Sequence, residues 1–313
     1  MKKEYNLLVV CGPTASGKTG LAVRLADALD GEVISADSRQ VYRNLDIGSG
    51  KDLHEYTIGN RTISYHLIDI ADPVQIYTLY HYQHDCYRTI AKVHSRNNLP
   101  ILCGGSGLYI EAVLRGYALP NVPEDRSLRT ELMKRQKNDL TEQLLSLSSK
   151  IYQATDLSSK KRIIRAIEVA EYYKKNGILF QAPDEIPKII PFILCTRWKR
   201  DLLHERIGHR LEKRLSEGMV EEVIQLRRSG VPDERLMMLG MEYKCITLYL
   251  KGEMDRETMV EKLRQAICQF AKRQDTWFRG MERRGSVIHW VDEADYDSAL
   301  SMIGDRFSEK DVV

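Results

Sequence analysis

The stretch Gly12-Pro13-Thr14-Ala15-Ser16-Gly17-Lys18-Thr19 decides how the rest of the chain is read. It meets the pattern Gly-x-x-x-x-Gly-Lys-Ser/Thr in full. It stands between an apolar run, residues 6–11, and a segment in which Leu21, Ala22, Leu25, Ala26 and Leu29 recur at helical spacing. Strand, glycine loop and helix in that order make a phosphate cradle. Glycines let backbone N–H groups curl around a phosphate oxygen, and the helix N-terminus adds partial positive charge. Lys18 neutralises a phosphate and Thr19 can hold Mg²⁺. Such a loop recognises a phosphate chain and says little about what carries it; nucleotide is the default.

Outward from the loop, residues 32–36, 64–70 and 99–103 are further apolar runs, separated by helix-length segments, and Gly31 stands where the first helix would stop. This alternation predicts an α/β fold, a P-loop NTPase-like parallel sheet covered by helices. After Gly116 the character changes. Residues 117–125 hold two prolines and no periodicity, and Leu- and charge-rich helical sequence then runs to about Lys175. A loop with Pro183 and Pro187 follows, and residues 189–195 read as a strand returning to the sheet. The expected organisation is a core in two pieces, 1–116 and 189–313, with a mainly helical insertion domain at 117–188. Residues 198–280 read as helical and 287–291 as a last short strand before an acidic tail.

Composition removes several classes. In 313 residues no apolar run approaches the roughly 20 needed to cross a bilayer. The N-terminal apolar stretch, residues 7–11, is ended by a Gly-Pro pair, so a secretory signal is not expected. The six cysteines are scattered, without a Cys-x-x-Cys pair or a Cys/His cluster. A reducing, cytoplasmic setting without disulfides or structural zinc is the expectation. Net charge is only +3, from 47 Lys and Arg against 44 Asp and Glu, but the charge is segregated. Residues 285–313 net −5, which leaves +8 on residues 1–284, and the helical segment 262–284 alone carries seven basic residues against two acidic. Together with Phe270, Trp277 and Phe278, that segment suits RNA phosphate and base contacts, although aromatics at helical spacing also serve as core.

Asp37 falls at the carboxyl end of the second run, where open α/β sheets place their chemistry. It can act as a base or ligate Mg²⁺ through water; the alternative is a helix N-cap by Asp37 or Ser38. Asp69, ending the third run, reads either as a Mg²⁺ carboxylate or as an ordinary strand end, and His66 beside it as structural. A second glycine loop, Gly104-Gly105-Ser106-Gly107, is a weak signal alone.

The segments GPTASGKT (12–19), ADSRQVYR (36–43), LDIGSGK (45–51), YHLIDI (65–70), CGGSGLYI (103–110) and FAKRQDTWFRG (270–280) occur in the order and at spacings that resemble the tRNA dimethylallyltransferases, the bacterial-type tRNA isopentenyltransferases. The resemblance implies transfer of a dimethylallyl group from dimethylallyl diphosphate to the exocyclic amine of the adenosine just 3′ of the anticodon, with Mg²⁺. It implies that the loop, Gly12 to Thr19, holds the diphosphate leaving group rather than ATP, with Thr19 on the metal. Asp37 becomes the base, and Lys18, Thr19, Ser106 and Arg206 complete the catalytic set; Arg206 also reads as a solvated helix face. The implied tRNA contacts are Asp37, Ser38, Arg39, Gln40, Ser106, Arg129, Lys161, Arg162, Ile163, Ile164, Arg165, Gly240, Met241, Glu242, Tyr243, Lys244, Lys272 and Arg273. A monomer without membrane attachment is expected. Two departures stand out: Ser49-Gly50-Lys51-Asp52 in place of Thr-Ala-Lys-Pro, and Gly240-Met241-Glu242-Tyr243-Lys244 in place of a more compact Gly-Tyr-basic-acidic motif. The competing readings are a P-loop small-molecule kinase, an enzyme prenylating free adenylate, and a non-catalytic RNA-binding protein.

Overall fold

A computed structural model describes residues 5–177, 186–304 and 306–307. Residues 178–185, which include Pro183 of the loop, and the acidic-tail residues Asp305, Glu309 and Asp311 lie outside the described residues. The chain forms two compact units, Met1–Gly116 with Pro187–Val313, and Tyr117–Ile186.

The larger unit begins with β1 (Leu7–Cys11), whose five apolar residues are all buried. It continues through α1 (Lys18–Ala28), β2 (Gly31–Ser35), a short 3₁₀ turn (Leu53–Tyr56), a two-stranded hairpin of β3 (Thr57–Ile58) and β4 (Arg61–Thr62), and β5 (Tyr65–His66). Next come α2 (Leu79–Ser95), β6 (Leu99–Gly104) and α3 (Gly107–Arg115). The smaller unit holds α4 (Arg126–Lys134), α5 (Lys137–Leu147), α6 (Ser149–Ala154) and α7 (Lys160–Asn176). The larger unit resumes with β7 (Pro191–Arg197), α8 (Arg200–Ser216), α9 (Met219–Arg228), α10 (Asp233–Leu239), α11 (Met241–Leu250), α12 (Arg256–Arg283), β8 (Ile288–Asp292) and α13 (Tyr296–Ile303).

Six strands make one sheet in the order β5-β2-β6-β1-β7-β8, and all its pairings are parallel. The near-continuous apolar strands follow from burial of both faces. One core packs Leu8, Val10, Val33 and Ile101 under α1 and α13; the other packs Leu7, Val9, Ile34 and Leu102 under α2, α3 and the end of α12. The two lie on alternate residues of each strand, the period-2 consequence of the pleat. A third cluster joins Val41 and Leu45 to α8, α9, α10, α11 and α12.

Two expectations change. The third run pairs only through Tyr65 and His66, because Leu67 and Asp69 adopt left-handed backbone (φ 61° and 56°), which an extended ladder does not accommodate. The helical stretch after Trp198 is five helices, interrupted at Gly218, Pro232, Gly240 and the turn before Asp255. At the amino end of β2, Glu32 is buried. Arg96 donates to it through Nε and Nη2 at 2.9 and 2.7 Å, His66 Nε2 lies 2.6 Å away, and Asn98 donates at 2.8 Å. Arg96 above all holds its carboxyl at about 2, which gives His66 its structural role.

In the smaller unit Leu132, Leu140, Leu144, Ile163 and Ile167 form the core. Glu168, buried at its edge, accepts two bonds from Arg129, at 2.9 and 2.7 Å, and others from Arg165 and the Asp125 N–H. Burial alone would raise this carboxyl; the arginines outweigh burial and hold it below the usual range.

Candidate active site

The glycine loop lies between β1 and α1 at the carboxyl ends of the central strands, and the second half of the chain fixes its shape. Thr196, on β7, places its Oγ1 2.7 Å from Ser16 Oγ, and a Cβ on Gly12 (φ 154°) would overlap that hydroxyl, so only glycine fits there. Trp198 donates its indole N–H to Ser16 O at 3.0 Å, and Arg206 donates Nε–H to Ala15 O at 2.9 Å while its guanidinium stacks 4.3 Å above the Trp198 ring. Gln274, buried on α12, accepts the Thr14 N–H at 2.8 Å and donates to Gly105 O at 2.9 Å, tying the two glycine loops together.

A cleft of about 810 Å³ opens over this loop, entirely within the larger unit. Residues 14–19, 37–40, 46–56, Ser106, Arg206 and 240–242 are among those lining it. Lys18 donates to Pro13 O at 3.1 Å. Burial lowers the Lys18 ammonium from its usual value; Arg210 adds to this, and Asp37 and Glu55 oppose it. The Cys103 thiol, also lining the cleft, donates to Lys18 O at 3.7 Å, and burial pushes it up to about 12. Asp37 closes a tight turn after β2, its Oδ1 accepting the Arg39 N–H at 2.8 Å. No helix starts there, so the N-cap alternative gives way to this turn. Ser106 Oγ accepts the Ser38 N–H at 3.1 Å, and Gln40 donates to Gly50 O at 2.9 Å. The turn is therefore anchored on both sides, by the second glycine loop and by the 46–52 wall.

The structure thus brings the Gly12–Thr19 loop, Asp37, Ser38, Arg39, Gln40, Ser106, Arg206, Gly240, Met241 and Glu242 to one cleft, although Gly12 and Pro13 do not themselves line it. Asp69 is not part of it. The buried Lys51 ammonium binds Asp69 and, at 2.7 Å, Asp46, which removes the Mg²⁺-carboxylate reading of Asp69. Tyr243 is fully buried with its OH donated to Glu222 at 2.9 Å, and Ile163 and Ile164 are core residues of the smaller unit, so none of these three presents a side chain to RNA. Arg129 and Arg165 are engaged by Glu168, Arg162 by Asp156, and Lys161 is exposed. Lys244, Lys272 and Arg273 are exposed. Sequence reading missed Gln274, Trp198, Thr196 and Glu222. For Gln274 a signal existed: a polar residue at the buried spacing Ala271, Gln274, Phe278 of α12. The departures Gly50 and Asp52 sit against Arg210 and Arg214 of α8.

A family model described as IPP transferase matches residues 40–281. tRNA dimethylallyltransferase 1 of Parabacteroides distasonis is 50% identical over 292 residues, 93% of either chain. tRNA dimethylallyltransferase 2 of Phocaeicola vulgatus is 49% identical over 290 residues, again 93% of either chain. Among solved structures, the full-length tRNA isopentenylpyrophosphate transferase of Bacillus halodurans superimposes with a TM-score of 0.67 at 32% identity, covering 96% of this chain and 94% of that one. A eukaryotic dimethylallyltransferase acting on tRNA shares the fold, with a TM-score of 0.71 at 22% identity over 96% of this chain and 76% of its own. With a family model spanning most of the chain and near-full-length relatives at half identity, the chain belongs to the IPP transferase family.

Proposed function

We propose that this protein transfers the dimethylallyl group of dimethylallyl diphosphate to N6 of the adenosine 3′-adjacent to the tRNA anticodon, releasing diphosphate. The observation that carries it is that the phosphate loop and the Asp37 carboxylate line one cleft. The N6 lone pair, weakened by delocalisation into the ring, attacks the first carbon of the prenyl group. The carbon–oxygen bond to diphosphate breaks and Asp37 takes the amine proton. Negative charge grows on the departing diphosphate, where the loop N–H groups, Lys18 and Arg206 are held ready for it. Ser106 holds the turn that aims Asp37.

The donor set suits Mg²⁺, which keeps several waters and binds through few protein groups plus phosphate oxygens. Thr19 lines the cleft beside Lys18 in the first turn of α1. Thr19 would hold the ion, which when bound supplies charge neutralisation at the diphosphate. The tRNA contacts are assigned to Asp37, Ser38, Arg39, Gln40, Gly240, Met241, Glu242, Lys244, Lys272 and Arg273, with Arg129, Lys161, Arg162 and Arg165 of the smaller unit. The target base must leave its stack to reach the cleft. In this reading the protein acts as a monomer. No helix among the described residues is long and apolar enough to cross a membrane. The setting is cytoplasmic, where unbridged cysteines stay reduced.

Purified protein with Mg²⁺, dimethylallyl diphosphate and unmodified tRNA should release diphosphate and add one prenyl mass to that nucleoside, and chelation should stop it. ATP-dependent phosphorylation without a prenylated nucleoside would overturn the assignment. Asp37→Asn should cut turnover by about 10²–10⁴ while sparing donor affinity; full activity would remove Asp37 from the base role.

A further inference from the structure

Arg206, Arg210 and Arg214 recur every fourth residue along α8, so they share one helix face, and all three line the cleft. Arg206 is committed to the phosphate loop. The other two converge on a single carboxylate: Arg210 Nη2 binds Asp52 Oδ2, and Arg214 Nη2 lies 3.4 Å from the same oxygen. One negative charge thus serves two guanidinium groups, and the Arg214 side chain is only 12% exposed. Burial would raise the Asp52 carboxyl, but Arg210 and Arg214 prevail and keep it below its ordinary value. Burial and the charge of Arg210 lower Arg214. The other carboxyls facing the pair, Glu55 and Glu242, are both pushed toward the neutral form by burial. Gly50 leaves the space clear: a Cβ there would overlap Arg214 Nη2 and come within 2.9 Å of Arg210 Nη2.

We propose that Arg210 and Arg214 form a second anion site in this cleft that takes a phosphodiester group of the RNA acceptor, with Asp52 as the internal counter-ion that the phosphate displaces. It rests on the reading of the protein as a tRNA-modifying enzyme. At 1.5 Å per residue Arg214 lies about 12 Å along α8 from Arg206, more than two helical turns, which a diphosphate seated on the glycine loop does not span; Arg210, one turn along and already acting on Lys18, stands between the two sites. Two guanidinium groups offer the paired N–H geometry that phosphate oxygens accept. Asp52 occupies that position, so RNA gains the site only against competition from the chain itself.

The test measures tRNA and donor affinity separately, by binding titration of the full-length protein over a series of salt concentrations. Asp52→Asn keeps the shape and removes the competing charge; tRNA should bind about 2–5-fold tighter, the range of one partly exposed ion pair. Arg214→Gln should weaken tRNA by a similar factor and flatten the salt slope by about 0.7, one phosphate contact on a single strand. Donor affinity should hold in both variants. Should Arg214→Gln fail to fold, Asp52→Asn decides alone. Equal or weaker tRNA binding by Asp52→Asn overturns the proposal, as does a change in donor affinity with tRNA affinity fixed, which would give the site to the diphosphate. Wild-type protein that bound no tRNA would instead overturn the functional reading on which it stands.

Discussion

Gln274 sits where two glycine loops meet and satisfies a backbone group of each, the Thr14 N–H and the Gly105 carbonyl. Both groups lose this partner once the side chain is gone, and unpaired buried polar groups are expensive. Gln274→Ala should cost about 1–3 kcal/mol in thermal or denaturant unfolding. It should also raise the KM for the prenyl donor more than it lowers kcat, since it loosens the loop without touching the base. A variant with unchanged donor KM would show that the loop holds its shape without this tie. The place of Lys18, Thr19 and Asp37 at the cleft is readable from local pattern because it is set by the strand ends and turns a few residues away. Gln274 acts on residues 260 and 169 positions distant; the local pattern marks it as a polar residue on a buried face but not what it pairs with.

The same contrast appears among elements. Glu222, on α9, accepts the N–H groups of Asp46, Ile47 and Gly48 at 2.8, 2.6 and 3.0 Å and the Tyr243 hydroxyl at 2.9 Å. A carboxylate with three backbone donors clamps the wall of the cleft to two helices. Tyr243→Phe removes one of those bonds and keeps the packing, so it should lower stability by about 1 kcal/mol. Glu222→Gln, which loses the charge behind all four, should lower it further; equal losses in the two variants would mean that the charge contributes nothing. The apolar runs of β1, β2 and β6 are legible because both faces are buried. The early end of β5 is not, since it depends on left-handed backbone at Leu67 and Asp69 that the Lys51 ammonium helps to hold. The departures in residues 49–52 read in sequence as an altered motif; only the fold places Gly50 and Asp52 against two arginines.

At the scale of the whole molecule the chain divides between two units with separate cores. Leu144 is fully buried in the smaller core, and Leu144→Ala should cost about 2–5 kcal/mol. Calorimetry should show the loss in a transition belonging to Tyr117–Ile186, with the remainder of the unfolding envelope in place. A uniform shift of one transition would mean that the units melt together. The change of composition after Gly116 is visible in the sequence, whereas which leucines close which core follows only from packing. Burial raises the thiols of Cys86, Cys103, Cys195, Cys245 and Cys268, and Cys103 reaches about 12 while lining the cleft itself. At neutral pH that burial keeps Cys103 as the thiol, and the thiolate is the form of cysteine sulfur that attacks carbon. The same burial that packs the carboxyl end of β6 thus keeps the thiol at the cleft wall in its protonated, weakly nucleophilic form.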